Sequence, residues 1–235
     1  MKISPYFEKA QMLRRYKRFL VDVKLENGEE LTIYCPNTGS MKNCWVEGGA
    51  CWFSRTDNPN RKLSGTLELT ITSDGFLCGI NTHRSNHLVK EGIKNGIIAE
   101  LQDYEVTQTE VKYGDEKSRI DLLLSSPGKN CYVEVKNMTF DVGGGCILFP
   151  DAVTERGAKH LRELTRKVEQ GHRSVLVFCV QHSGANNTGL ADEIDSYYAQ
   201  TMRQAANAGV EVIAYGCKLS PKEIVIDKRL PFRLS

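Results

Sequence analysis

The sequence predicts two domains of different class: an all-β, OB-like five-stranded barrel over residues 1–82, and a mixed α/β domain over residues 83–235. Three observations carry that division. Short alternating segments bounded by turn dipeptides fill the first third of the chain. Helical periodicity enters only after Asn81. Finally, the fully apolar run Ser174 to Val180 requires a strand covered on both faces.

In the barrel, Arg18 to Leu25 places Phe19, Val21, Val23 and Leu25 on one face, Asn27-Gly28 turns the chain, and Glu30 to Tyr34 returns. Cys51 to Arg55, Thr66 to Thr72 and Phe76 to Ile80 complete five strands, the last following an Asp74-Gly75 turn. An OB-like barrel is the commonest five-stranded solution, and an SH3-like barrel competes with it. The second domain opens with a short amphipathic helix, Asn86 to Gly96, marked by Leu88, Ile93 and Ile97. Three strands follow at Val106 to Tyr113, Ser118 to Leu124 and Asn130 to Asn137. A helix from about Thr154 to Gln170, stopped by Gly171, buries Gly157, Leu161, Leu164 and Val168. The run Ser174 to Val180, a helix near Ser196 to Ala208 and the strand Val210 to Tyr215 form a β-α-β unit.

Composition limits the function classes. With 40% hydrophobic and 26% charged residues, the 235-residue chain can pack a core and is not a disordered polyelectrolyte. No apolar run approaches the roughly 20 residues of a spanning helix, and Met1-Lys2-Ile3-Ser4-Pro5 has no apolar stretch behind it, so a soluble cytoplasmic protein without membrane partners is expected. A net charge of +2 is too small to predict polyanion binding by itself, which leaves that property to local clusters. The eight cysteines contain no C-x-x-C pair and several sit in apolar runs, as expected of reduced, buried thiols.

The densest chemistry lies between Ser118 and Lys136. Glu134 and Lys136 are two apart on a strand and share a face, while Val133 and Val135 point the other way. A hairpin closed at Pro127-Gly128 puts Asp121 opposite Glu134 and Arg119 opposite Lys136. A turn at Asp115-Glu116 would bring Glu110 opposite Asp121, making a row of three carboxylates. Like charges directly opposite destabilise a sheet, and a hard divalent cation offsets the repulsion. Mg²⁺ (or Mn²⁺) is therefore expected on Asp121, Glu134 and the Val135 carbonyl, with Glu110 assisting. Lys136 would steady the attacking water or the developing charge. Aspartate followed by glutamate-x-lysine on the next strand is an arrangement that hydrolyses phosphodiesters.

Cationic clusters suggest where a polyanion would lie. Arg14, Arg15, Lys17 and Arg18 interleave with Tyr16 and Phe19, while Arg55, Arg61 and Lys62 bracket a loop near Trp52 and Phe53. A small barrel binds single strands through such stacking and charge. Arg119 beside the carboxylates, and Arg156 and Lys159 in the first turns of the long helix, complete the candidates, the helix N-terminus adding its own attraction for phosphate. His160 falls at the border of that helix's apolar stripe and reads as a satisfied boundary histidine.

Taken together, the motifs resemble one bacterial family. Arg14-Arg15-Tyr16-Lys17-Arg18-Phe19-Leu20, Cys35-Pro36-Asn37-Thr38-Gly39-Ser40-Met41, Ser54 to Lys62, Glu110 to Gly114, Ser118 to Asp121, Tyr132 to Lys136 and Phe149 to Gly157 are similar to the sugar fermentation stimulation (SfsA) family over nearly the whole chain. The resemblance implies an OB-like domain followed by a restriction-endonuclease-like domain of the PD-(D/E)xK nuclease type. It also implies non-sequence-specific DNA binding and a regulatory part in sugar (maltose) metabolism. The expected function is a DNA-binding protein with a Mg²⁺-dependent nuclease site, and the alternative is a non-catalytic, DNA-binding regulator. The loops Cys35 to Met41 and Ser54 to Lys62 have no catalytic logic in the sequence and belong either to the domain interface or to nucleic-acid contact.

Overall fold

The computed structural model describes residues 1–116 and 118–234. The barrel is built from β1 (Glu8–Tyr16), β2 (Leu20–Lys24), β3 (Glu30–Tyr34), β4 (Ala50–Arg55) and β5 (Gly65–Ile71). β1 pairs antiparallel with both β2 and β4, β2 with β3, and β4 with β5. A parallel contact between Tyr34 and Thr66 joins β3 to β5 and closes the ring, which is the OB connectivity. Val21, Val23, Ile33, Phe53 and Leu67 fill its interior.

One strand differs from expectation. β1 is missing from the five strands read in the sequence, and the segment Phe76 to Ile80, counted as the fifth, forms β6 (Leu77–Gly79) outside the ring on the edge of β5. The reason is local. β1 is polar at most positions, buries only Ala10 and Met12, and its register against β2 shifts between Met12 and Arg14, so no clean alternation marks it. β6 instead connects the domains: Gly79 donates its N–H to the Gln181 carbonyl and Ser183 donates to that of Leu77.

The second domain contains α1 (Arg84–Lys94), β7 (Val106–Tyr113), β8 (Ser118–Ser126), β9 (Lys129–Met138), β10 (Phe140–Asp141), β11 (Cys146–Phe149) and α2 (Glu155–Glu169). It continues through β12 (Arg173–Val180), β13 (Asn187–Leu190), α3 (Ser196–Asn207), β14 (Glu211–Leu219), β15 (Ile224–Leu230) and β16 (Phe232–Arg233). Its main sheet has the order β15-β14-β12-β9-β8-β7, with an antiparallel meander at β7 to β9 and parallel pairs from β9 through β12 to β14. α1 covers one face, packing Leu88, Val89 and Ile93 on Val133, Val135, Val175 and Val177. α2 and α3 cover the other, packing Leu161, Leu164, Tyr198 and Met202 on Ile120, Leu176 and Phe178. β12 therefore lies between two apolar layers, as its composition requires. The short strands β10, β11, β13 and β16 form a small separate sheet that no pattern in the sequence announces.

Asp195 ties two helix starts together. Its Oδ1 accepts the Tyr198 N–H at 2.9 Å, capping α3, and its Oδ2 accepts the Thr154 N–H at 2.8 Å. Thr154 in turn caps α2 by accepting the Gly157 N–H at 3.0 Å. Asp195→Ala should lower the unfolding free energy by about 1–2 kcal/mol. Urea denaturation tests this, and an unchanged midpoint would refute the double cap.

The domains meet along β5, which is buried on both faces because one faces the barrel interior and the other the neighbouring domain. Glu68, 2% exposed, accepts two bonds from the Arg84 guanidinium at 2.5 and 2.7 Å, one from Asn81 at 3.0 Å and one from Ser54 at 2.8 Å. Residues before β1 pack on the α/β domain: Ile3 and Phe7 join Ile224 and Ile226 in its core, and Ile3 donates its N–H to the Lys222 carbonyl. All eight cysteines are unpaired, and all but Cys146 are buried. Among the described residues, no helix is long and apolar enough to cross a membrane.

Candidate functional site

The meander sets the site. β8 and β9 have the expected register, with Leu122 opposite Val133 and Ser125 opposite Asn130, and β7 and β8 pair Val111 with Ile120 and Thr109 with Leu122. Backbone pairing of β8 with β9 stops at Leu122–Val133. Beyond it, the Asp121 carboxylate takes the place of a backbone partner: its Oδ2 accepts the Val135 N–H at 2.7 Å and its Oδ1 accepts the Asn86 side chain from α1 at 2.8 Å. Burial, with the nearby Glu134 charge adding to it, raises the Asp121 carboxyl to about 6.

Glu134, 1% exposed, turns toward α2. Its Oε1 accepts the Lys136 ammonium at 2.6 Å and a hydrogen bond from His160 Nδ1. That leaves His160 Nε2 to accept the Arg156 Nε–H at 3.4 Å, so a chain of donors runs from the surface of α2 to the carboxylate. Burial pushes the Glu134 carboxyl up, but Lys136 and His160 together outweigh it and hold the group below its ordinary value. Its other oxygen, Oε2, is buried with no hydrogen-bond partner. The hydroxyls of Tyr113 and Tyr198 are also buried and unpartnered, and both phenols are raised by burial, the Glu134 charge contributing.

The remaining candidates fall into three groups. Glu110 lies opposite Asp121 in register, but it is exposed at a left-handed φ of +55° and takes no part in the hydrogen bonds of the site. Among the described residues, no group of three or more His, Cys, Asp and Glu side chains gathers as a metal cluster, so the expected row of three carboxylates is not formed. Several cations are already engaged. Arg14 pairs with Asp22 and Arg55 with Glu8, Lys159 donates to the Glu116 carbonyl, and Arg15 holds four backbone carbonyls. Among the described residues Lys17, Arg18, Lys62 and Arg119 are exposed with no ion-pair partner, and the exposed Arg61 guanidinium makes one hydrogen bond, to Thr66 at 3.4 Å. Lys17 and Arg18 occupy the β1–β2 loop and Arg61 and Lys62 the β4–β5 loop, the two loops an OB barrel uses to bind oligonucleotides and oligosaccharides.

Two recesses adjoin these groups. A hollow of about 710 Å³ on the barrel is lined by Tyr34, Ser54, Arg61, Lys62, Glu68 and His83, among others. A cleft of about 340 Å³ lies between the domains, with Pro36 to Gly39 on the barrel side and Asn86, Val135, Lys136 and Asn137 opposite.

Comparison with known proteins adds the family. Residues 83–223 match the sugar fermentation stimulation protein RE domain, and residues 13–80 match the SfsA N-terminal OB domain. The chain belongs to the sugar fermentation stimulation protein family. The homolog from Teredinibacter turnerae is 54% identical over 231 residues, covering 98% of this chain and 99% of that protein. The homolog from Shewanella halifaxensis is 54% identical over 235 residues and covers both chains fully. SfsA of Pyrococcus furiosus, solved in complex with Ca²⁺, superposes with a TM-score of 0.88 over 99% of this chain and 98% of that one. At 24% identity, that likeness establishes the shared fold.

Within this SfsA family member, two parts of the site escape the sequence. His160 was read as a boundary histidine, yet it touches Glu134. Helical periodicity placed it correctly, but nothing in the sequence indicates which strand α2 covers. Asn86 was read only as the start of a helix. The Cys35 to Met41 loop, assigned in the sequence either to the domain interface or to nucleic-acid contact, lies at the interface, where Ser40 and Met41 bond Asp151.

Proposed function

We propose that the chain is a divalent-metal-dependent nuclease. Its barrel holds DNA without sequence preference, and its Asp121, Glu134 and Lys136 cut the phosphodiester. The observation that carries this reading is Glu134 Oε2, a buried carboxylate oxygen without a hydrogen-bond partner; with Asp121, whose carboxyl the Glu134 charge helps raise, and the adjacent Val135 carbonyl, it makes an all-oxygen set of the kind a hard cation takes. Ca²⁺ in the Pyrococcus furiosus relative supports a hard ion, and Mg²⁺ (or Mn²⁺) has the same oxygen preference. Asp121, Glu134 and the Val135 carbonyl would hold the ion, which supplies a polarised phosphoryl oxygen and a more acidic water. Asn86 and the Val135 N–H orient Asp121, and His160 and Lys136 orient Glu134. Lys136 keeps an ammonium where negative charge develops on the phosphate, and Arg156 offers its guanidinium at the first turn of α2.

One observation favours a second reading, a non-catalytic DNA-binding regulator of sugar (maltose) metabolism: no third metal-binding side chain joins Asp121 and Glu134 among the described residues. The two are separated by incubating single- and double-stranded DNA with Mg²⁺ or Mn²⁺. The nuclease reading expects cleavage that Lys136→Ala lowers by about 100-fold or more. Equal cleavage by parent and variant indicates a contaminant. Salt-sensitive binding without cleavage supports the regulator.

A further inference from the structure

The Cys35 to Met41 segment does nothing in the reading above, yet it is among the most constrained loops of the barrel. Arg15 spans it from one side, donating to the carbonyls of Asn37 at 3.0 Å, Gly39 at 2.8 Å and Ser40 at 3.2 Å, and also to that of Arg18. Asp151, from the loop before α2, holds the other side by accepting the Met41 N–H at 3.1 Å and the Ser40 hydroxyl at 3.3 Å. Gly39 lies so close to Asp151 that a Cβ there would sit 2.5 Å from its Oδ2. Asn37, itself buried, accepts the Gly39 N–H at 2.8 Å and stiffens the bend. A loop held from both domains in this way is a fixed wall, and the wall faces Lys136 across the cleft of about 340 Å³.

We infer that this loop is the specificity wall of the nuclease site: it leaves room for one polynucleotide strand beside Lys136 and excludes a duplex. The inference rests on the nuclease reading and adds the form of its substrate. A cleft of about 340 Å³ is at the small end of pockets that enclose a single small molecule, which suits one nucleotide and not a base pair. The strand has a continuous route. The barrel hollow is lined by Asn81 and His83, the cleft by Thr82, Ser85 and Asn86, so residues 81–86 form the shared rim of the two recesses. A strand laid in the barrel hollow, where Tyr34 offers a ring and Arg61 and Lys62 offer charge, crosses that rim and enters the cleft past Thr38. Arg15 is a positioning residue here: it acts through the loop carbonyls it holds.

Thr38 supplies the test, because it is exposed and lines the cleft. Thr38→Trp should fill the space above Lys136 while leaving the fold intact. Binding of an oligothymidylate of about 16 nucleotides, read by fluorescence anisotropy in EDTA, should weaken about fivefold, and kcat/KM for its cleavage with Mg²⁺ should fall about tenfold or more. The unfolding midpoint of Thr38→Trp should match the parent's. Arg15→Met should raise KM for the oligonucleotide more than it lowers kcat, with the unfolding midpoint recorded alongside. For the parent, a blunt duplex of the same length should be cut at least about tenfold more slowly than the single strand. Duplex cut as fast as single strand, or Thr38→Trp cutting at the parent rate, overturns the inference and leaves the nuclease reading standing. A parent that binds the oligonucleotide but cuts neither substrate overturns the nuclease reading, and the inference with it.

Discussion

Free of metal, an Asp121→Asn variant should be more stable than the parent at pH 7 and, on the proposed nuclease reading, should not cleave DNA when Mg²⁺ is added. Asp121 ionises at about 6 in the folded chain against an ordinary 3.8, because burial and Glu134 oppose its charge. Between those two pH values the folded state holds more protons than the unfolded one, so stability falls as pH rises through that window and stays low above it. At about 1.4 kcal/mol per pKa unit, the cost at neutral pH is on the order of 2–3 kcal/mol. Asparagine keeps an oxygen for the Val135 N–H and removes the charge. The advantage of the variant should therefore be largest at pH 7–8 and vanish below about pH 4, where the parent carboxyl is also neutral. Thermal melts of both proteins in EDTA across that range test it. A variant less stable than the parent at pH 7 would mean that Asp121 serves the fold and not a ligand. Added Mg²⁺ should stabilise the parent and leave the variant unmoved.

The second large effect belongs to Glu68. It is buried with four hydrogen bonds, two of them from Arg84. Removing the carboxylate by Glu68→Ala strands the guanidinium at the domain junction, and a loss of about 3 kcal/mol is expected. Urea denaturation measures it. Pairing the change with Arg84→Met should recover part of the loss, because no unpaired charge is then left behind. A single substitution that costs nothing would show that the Glu68–Arg84 pair does not join the domains energetically.

Much of this molecule was legible in one chain. The turn dipeptide Pro127-Gly128 sets a register that the structure keeps, because a two-residue turn between alternating strands leaves few other pairings, and Asn27-Gly28 marks the β2–β3 hairpin, which closes through a three-residue loop with Gly28 at a left-handed φ. Thr154 and Gly171 marked the ends of α2 for the same local reason. What escaped depends on contacts distant in sequence. β1 is polar at most positions because barrel closure, and not its own alternation, fixes it. Register alone places Glu110 opposite Asp121, but a left-handed backbone at that residue breaks the β7–β8 ladder there and leaves the side chain in solvent. His160, Asn86 and the loop at Gly39 reach the site from elements whose packing no local pattern encodes. Of the two α2 cations expected at phosphate, Lys159 instead joins Arg162 and Arg166 in holding the turn at Glu116. That turn docks under Glu163, whose carboxylate fills the space a side chain at Gly114 would need.

The packing of Ile3 and Phe7 against Ile224 and Ile226 has a consequence for anyone dissecting the protein. The backbone leaves the α/β body, makes the barrel, and comes back at α1, so the barrel is topologically an insertion and not a bead strung ahead of a second bead. A fragment cut to start at His83 would lose the stopper of its own core and expose Ile93, Ile224 and Ile226 to water. A self-sufficient α/β half would need residues 1–7 grafted back, with a short linker replacing the excised ring.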